Sequence, residues 1–283
     1  MINLEVPRKF APLVGQARQV AREVFRPISR RYDREEHTRP KELDMLAAVI
    51  AGMEDGADIG GAGAAGVRGG SSNGGGNRNG SNMSTALSVM ELCWGDVGLL
   101  LSLPGQGLGN SAIASVGDDD QLERFAGRWA AMAITEPEAG SDSAAIRTTA
   151  VLDGDEYVLN GEKIYVTSGE RADLVVVWAT LDRSQGRAAI KSFVVERSNP
   201  GLILERLEHK LGIRASDTAA FRLEDCRIPK ENLLGSPDVD TSRGGFAGAM
   251  KTFDNTRPLV AAMAVGLTSA CLDETSRLLG DAG

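Results

Sequence analysis

The sequence predicts an α+β multidomain chain: an N-terminal α-helical domain over 1–128, a middle β-barrel domain over 129–237, and the start of a C-terminal α-helical bundle over 238–283. Three observations predict it. Apolar residues recur at helical intervals before Trp129, short β-branched runs separated by turn residues follow it, and a helical apolar stripe returns after Pro237. The 283 residues also exceed the roughly 250 at which single cores stop growing.

In the first part, Leu13, Val14, Ala17, Val20, Ala21, Val24 and Phe25, then Leu43, Leu46, Ala47 and Ile50, mark two amphipathic helices between Phe10 and about Met53. Pro40 suits the first turn of the second, where a missing N–H costs nothing. Gly56 to Gly80 is glycine-rich and of low complexity, which predicts a loop. Its Gly-Xaa-Gly patterns follow no β-strand, so they make a poor phosphate loop. Helical spacing resumes over Met83–Leu103 and Gln121–Trp129.

In the middle part, Val151–Leu159, Lys163–Thr167, Leu174–Leu181, Lys191–Val195 and Ala219–Leu223 read as strands. Asp153-Gly154-Asp155 and Asn160-Gly161 read as the turns between them. A tight turn at Asn160-Gly161 sets the register of the next strand and puts Tyr165 and Thr167 on one face. In the last part, Phe246, Met250, Phe253, Val260, Met263, Ala264, Leu267, Ala270 and Leu272 form a long apolar stripe, which calls for further helices or a partner chain to cover it.

Composition narrows the function classes. A net charge of −8 argues against a general nucleic-acid surface. No run of 18 apolar residues exists to span a membrane. Phe10–Val24 is too polar for a signal peptide, and Glu5 and Glu23 disfavour a transit peptide, so a cytoplasmic location is expected. Cys93, Cys226 and Cys271 are odd in number and far apart, which predicts buried thiols rather than disulfides or a zinc site. No metal ligands are assigned, and His37 and His209 lie outside every motif and receive no catalytic role.

Flavin chemistry requires donors for the ring's pyrimidine edge and N5, an aromatic or apolar plate, and neutral or positive groups at the pyrophosphate. Thr135, Ser141, Tyr165 and Thr167 are of the right types, and the Gly140-Ser141-Asp142 turn offers backbone N–H groups to an anion. Each taken singly is also an ordinary loop or core residue. Their order within one domain is what singles them out.

That order resembles a known family. Met132-Ala133-Ile134-Thr135-Glu136-Pro137-Glu138-Ala139-Gly140-Ser141-Asp142, Asn160-Gly161-Glu162-Lys163-Ile164-Tyr165-Val166-Thr167-Ser168-Gly169 and Leu211-Gly212-Ile213-Arg214-Ala215-Ser216-Asp217-Thr218 resemble acyl-CoA dehydrogenases. Ile228-Pro229-Lys230-Glu231-Asn232-Leu233-Leu234-Gly235 and Phe253-Asp254-Asn255-Thr256-Arg257-Pro258 continue the likeness in the family's order. The resemblance implies a FAD-dependent α,β-dehydrogenation of an acyl-CoA thioester. It implies that Ala133, Ile134, Thr135, Ser141, Tyr165, Val166 and Thr167 hold the cofactor, and that Ser141, Asp254 and Arg257 meet the substrate. Tyr165 stands where many members have tryptophan.

It also implies gaps. In one branch the catalytic glutamate lies in a late C-terminal region beyond Gly283; in another it occupies the position of Thr256, so no catalytic residue is assigned. Glu274, roughly four to five turns beyond Thr256, is no substitute. The family's Arg-Xaa-Xaa-Phe-Gly segment, which reaches a neighbouring subunit's cofactor, would begin just after Leu279. The chain is therefore expected to be C-terminally shortened and to work in a homo-oligomer, or in a hetero-oligomer with another chain of the family. An electron-transfer flavoprotein is the expected electron acceptor. The alternative is a non-catalytic partner subunit that binds FAD, acyl-CoA or another subunit; acyl-CoA oxidases and some flavin monooxygenases share the fold. By the same resemblance Leu99, Leu100 and Leu103 are acyl-pocket candidates, with Pro104-Gly105-Gln106-Gly107 widening the cavity, although such apolar spacing also suits plain core.

Overall fold

A computed structural model describes residues 6–53, 81–105, 107–239 and 247–281. The expected glycine-rich loop at 56–80, Gln106 and Phe246 lie outside the described residues.

α1 (Ala11–Val20) and α2 (Arg26–Arg34) are joined without a break by a wider π-type turn, Ala21–Phe25. Val14, Ala17, Ala21, Phe25 and Tyr32 turn inward along this rod, the helical spacing read from the sequence. α3 (Glu42–Met53) follows, with the Pro40 carbonyl accepting from Leu43 N in its leading turn. The helix expected over Met83–Leu103 is two helices, α4 (Ser81–Gly95) and α5 (Val97–Leu101). They part at Asp96, whose extended backbone and carboxylate cap α5: Oδ1 accepts from Leu99 N at 2.8 Å, and Oδ2 from Ser29 Oγ at 2.5 Å. α6 (Leu108–Val116) was not anticipated. α7 (Asp119–Arg124) replaces the helix expected over Gln121–Trp129, its start fixed by a reciprocal Asp118–Gln121 capping box.

The barrel expected of the middle part is built as one curled seven-stranded sheet: β1 (Ala130–Ala133), β2 (Thr149–Asp153), β3 (Glu156–Thr167), β4 (Leu174–Thr180), β5 (Ile190–Glu196), β6 (Leu202–Leu207) and β7 (Thr218–Pro229). Its order is β1-β4-β2-β3-β7-β6, with β5 antiparallel on β4. β1 runs parallel to β4, every residue of which is buried. One face of the sheet encloses Trp129, Tyr157, Phe193 and Phe221; part of the other packs on Ile113 and Phe125 of the α6–α7 region.

β1 and β6 escaped the sequence reading, being short or only weakly alternating. The hairpin at Asp153-Gly154-Asp155 is as expected, with Gly154 at φ 65°. Asn160-Gly161 is a correction: it forms no turn but lies within β3, at a register shift against β7. Gly161 is needed there for a different reason, since a Cβ would sit 2.5 Å from Thr148 Oγ1.

α8 (Ala247–Asp281) is one helix of 35 residues, about 50 Å long at 1.5 Å per residue. It packs on α4 through Ala262, Gly266 and Ala270, while Val260, Val265, Leu267, Leu272, Leu278 and Leu279 are exposed. A second core, around Phe25, Leu43, Cys93, Leu99 and Leu100, joins the helices to Ala215 of the β-domain and Ala262 of α8. Cys93 and Cys226 are the buried thiols expected, and burial pushes both up to about 12. Cys271 is exposed, because its place on α8 faces away from α4.

Candidate functional site

The residues that carry the motifs meet where the segment after β1 runs beside β3. Ile164 N donates to Thr135 O at 2.9 Å, and the Lys163 ammonium donates to Ile134 O at 3.2 Å. Lys163 is fully buried and bonds Glu136 Oε1 at 2.6 Å. The same carboxylate accepts from Arg147 N at 2.6 Å, Thr148 N at 3.0 Å and Thr148 Oγ1 at 2.5 Å. Burial pushes the Glu136 carboxyl up, but Lys163 and these donors outweigh it and hold it below the usual carboxylate value. Burial also lowers Lys163 to about 8, against the pull of Glu136. The sequence reading gave neither residue a role. A lysine at a core-facing position of a strand, beside a motif glutamate, was the available signal.

β3 bulges between Lys163 and Val166, with Tyr165 at φ 59°. The bulge leaves two fully buried side chains, Lys163 and Val166, three residues apart, where an unbroken strand would space them by two or four. The Tyr165 ring is 62% exposed, Val166 is fully buried, and Thr167 faces a cavity. Ala133 and Ile134 are buried beneath half-buried Thr135. Ser141 is exposed in the turn before a short 3-10 segment, Ser143–Ala145.

The cavity holds about 400 Å³. Thr167, Ser168 and Ile213 line it from the β-domain, Val97, Leu101 and Leu108 from α5 and α6, and Thr256, Val260, Met263 and Leu267 from α8. Leu99, Leu100 and Leu103 do not line it; all three are in the helical core, and α5 presents its Val97 and Leu101 face instead. Among the described residues, no carboxylate or imidazole lines this cavity. Thr256 is buried, while Asp254 and Arg257 on the same turn have side chains 75% and 65% exposed, 3.9 Å apart. Pro258 lies inside α8, which starts eleven residues earlier at Ala247, so Arg257 is in the body of the helix. A larger cavity of about 600 Å³ is lined by Asp118, Asp120, Gln121, Arg124, Lys230 and Glu231 together with Leu152, Tyr157, Leu233 and Pro237, outside the flavin-type segments. The apolar cavity beside Thr167 is therefore the candidate site.

The β-domain is tied to the helices by a second buried pair. Arg171 lies 3.3 Å from the fully buried Asp217, and its other nitrogens donate to Ala215 O, His37 O and Thr38 O. Ser168 Oγ donates to Leu101 O at 3.0 Å, fixing α5 to the end of β3.

Comparisons with known proteins bear on the family and the fold. Residues 131–226 match the family described as acyl-CoA dehydrogenase, middle domain. The chain is 43% identical over 155 residues to cyclohex-1-ene-1-carbonyl-CoA dehydrogenase of Geobacter metallireducens, covering 54% of this chain and 40% of that protein. It is 37% identical over 207 residues to a short-chain specific acyl-CoA dehydrogenase of Clostridium acetobutylicum, covering 70% of this chain and 53% of that one. The solved structure of butyryl-CoA dehydrogenase from Megasphaera elsdenii superposes with a TM-score of 0.79 at 28% identity, over 98% of this chain and 70% of that one. The chain thus spans about half, or less, of the length of these two curated relatives, 53% and 40%.

Proposed function

Because the chain belongs to the acyl-CoA dehydrogenase family, we propose that it takes part in the FAD-dependent α,β-dehydrogenation of an acyl-CoA thioester. The observation that carries this reading is the apolar cavity with Thr167, two residues after the exposed Tyr165 in the chain, on one wall and Thr256 on the other. FAD, when bound, supplies the acceptor for the β-hydride.

The residues present fit such a group in type. Tyr165 offers an aromatic plate 62% open to solvent, and the half-buried Thr135 and Thr167 offer hydroxyls within the same stretch of paired backbone. The Glu136–Lys163 pair holds that backbone still, so the hydroxyls are positioned before a ligand arrives. Ala133, Ile134 and Val166 supply packed, buried residues in the same stretch, and the exposed Ser141 is of a type to meet a pyrophosphate or pantetheine group. The exposed Asp254 and Arg257 suit the CoA portion, because a guanidinium fork bonds phosphate and carbonyl oxygens at fixed angles. The apolar lining suits an acyl tail laid between α5 and α8.

Removal of the α-proton needs a base, and at the position facing the cavity this chain has Thr256, whose hydroxyl cannot accept that proton at neutral pH. The same residue favours a second reading, a subunit that binds FAD and acyl-CoA without turnover. A visible absorption spectrum of the purified chain, before and after anaerobic addition of acyl-CoA thioesters of several lengths, separates the two. Flavin bands that bleach support dehydrogenation; bands that shift without bleaching support binding alone; bands absent altogether count against cofactor binding by this chain. In a chain that binds both, Thr256→Glu is expected to restore bleaching, and no gain would refute the position of the missing base. Oligomer assembly, an electron-transfer flavoprotein as acceptor, the domain division at 128 and 237, and a cytoplasmic location remain part of the same proposal. No described helix is long and apolar enough to cross a membrane.

A further inference from the structure

Away from the cavity, three residues that the sequence keeps far apart or outside any motif converge. Glu36 and His37 follow the end of α2, and His209 follows the end of β6. The Glu36 carboxylate, its side chain 8% exposed, accepts from Lys210 N at 2.9 Å and lies 2.9 Å from His209 Nδ1. The His37 and His209 rings meet edge to face, 5.1 Å between centroids. One ligand atom from each of the three side chains lies within 4.8 Å of the others.

His37 is the informative member. Its backbone is left-handed, at φ 68°, a conformation that costs a residue with a Cβ. Arg171 secures it there by donating to the His37 and Thr38 carbonyls at 3.3 and 3.2 Å. The ring so placed has both nitrogens buried, and neither has a hydrogen-bond partner among the described residues. An imidazole carries at least one N–H and, when neutral, one lone pair, so both a donor and an acceptor are left unanswered.

We infer that Glu36, His37 and His209 form a binding site for a divalent transition-metal ion of the zinc class. Two imidazole nitrogens and one carboxylate oxygen are a donor set for Zn²⁺, Ni²⁺ or Cu²⁺ rather than for Mg²⁺ or Ca²⁺, which take oxygen ligands. Solvent completes the coordination on the side of His209, whose side chain is 85% exposed. The cations nearby do not close the site. Arg214 Nη2 lies 3.2 Å from Glu36 Oε2 with its side chain 35% exposed, so a metal ion at Glu36 displaces it toward solvent rather than into the core. The Lys210 ammonium points away, to Ser216 O and Thr218 Oγ1. Arg171 is occupied with backbone carbonyls and Asp217. A bound ion draws His209 off its hydrogen bond to Glu36 and gives the orphaned His37 nitrogen its partner. It also clamps the end of α2 to the loop that runs from His209 to Ile213, and Ile213 lines the apolar cavity. The site is thus a strut between the helical and β parts of the molecule.

The test uses the untagged, chelator-treated chain in equilibrium dialysis against Zn²⁺, with Co²⁺ as a spectroscopic substitute. One equivalent per chain is expected, with visible Co²⁺ bands lacking sulfur charge transfer and no competition from excess Mg²⁺. His209→Ala removes an exposed side chain and His37→Gly suits the left-handed backbone; each is expected to weaken Zn²⁺ binding at least about tenfold, whereas Cys271→Ser leaves it unchanged. Sub-stoichiometric binding, binding that survives both histidine variants, or binding lost with Cys271 would overturn the assignment.

Discussion

The two walls of the apolar cavity are held by opposite means. On the β-domain side, the buried Glu136–Lys163 pair gathers hydrogen bonds from Arg147 and Thr148 and reaches Ile134 O, so the motif backbone is over-determined by polar contacts. On the helical side, α8 meets α4 through small residues and presents exposed valines and leucines to solvent. Polar pairing gives directional precision to groups that must meet a ligand's edge. Small-residue packing gives close approach without direction, which suits a wall that merely shapes a cavity.

The largest expected effect comes from breaking the polar wall. Lys163→Met strands a buried carboxylate and is expected to cost about 3–5 kcal/mol in urea unfolding. The Glu136→Gln/Lys163→Met double variant should recover much of that loss, since the unpaired charge is then gone. A loss equal to the single variant's would show that packing, not charge, holds this wall. The pH dependence sharpens the point. The folded Glu136 carboxyl lies below the unfolded value of 4.5, so the unfolded chain takes up the proton first. The stability it contributes is present above 4.5 and is lost as pH falls through the folded value. Glu136→Gln should flatten that part of the acid profile, measured as unfolding free energy against pH.

Next in size is the helical wall. A Cβ at Gly266 would lie 2.2 Å from Met90 O, so Gly266→Ala must push α8 off α4 and is expected to cost about 1–3 kcal/mol in denaturant unfolding. Asp96→Ala removes the α5 cap and should cost about 1 kcal/mol in the same assay, while leaving the Glu136–Lys163 side untouched. The smallest effect is expected for Leu272→Lys, at a position 66% exposed on α8: within about 0.5 kcal/mol for the isolated chain. A larger loss there, growing with protein concentration, would mean that the exposed face is covered by another copy.

The legible part of this protein was its local pattern. Helical spacing marked the inward residues Val14, Ala17, Ala21 and Phe25, alternation marked most strands, and the order of the motifs identified the family, because each depends on residues close in the chain. The uncapped apolar face of α8 was readable for the same reason.

What only the tertiary structure decided were relations between distant segments. Asn160-Gly161 has the composition of a turn, yet pairing with β7 and contact with Thr148 draw it into β3. The bulge after Lys163 puts two buried side chains, Lys163 and Val166, three residues apart, which no alternation rule foresees. Leu99 and Leu101 look alike in sequence, but the capped, short α5 turns one into the core and the other into the cavity. Glu136 with Lys163, and Glu36 and His37 with His209, are pairings across folded chain. Local propensity writes each element, while burial and pairing between elements settle which face of it does the work.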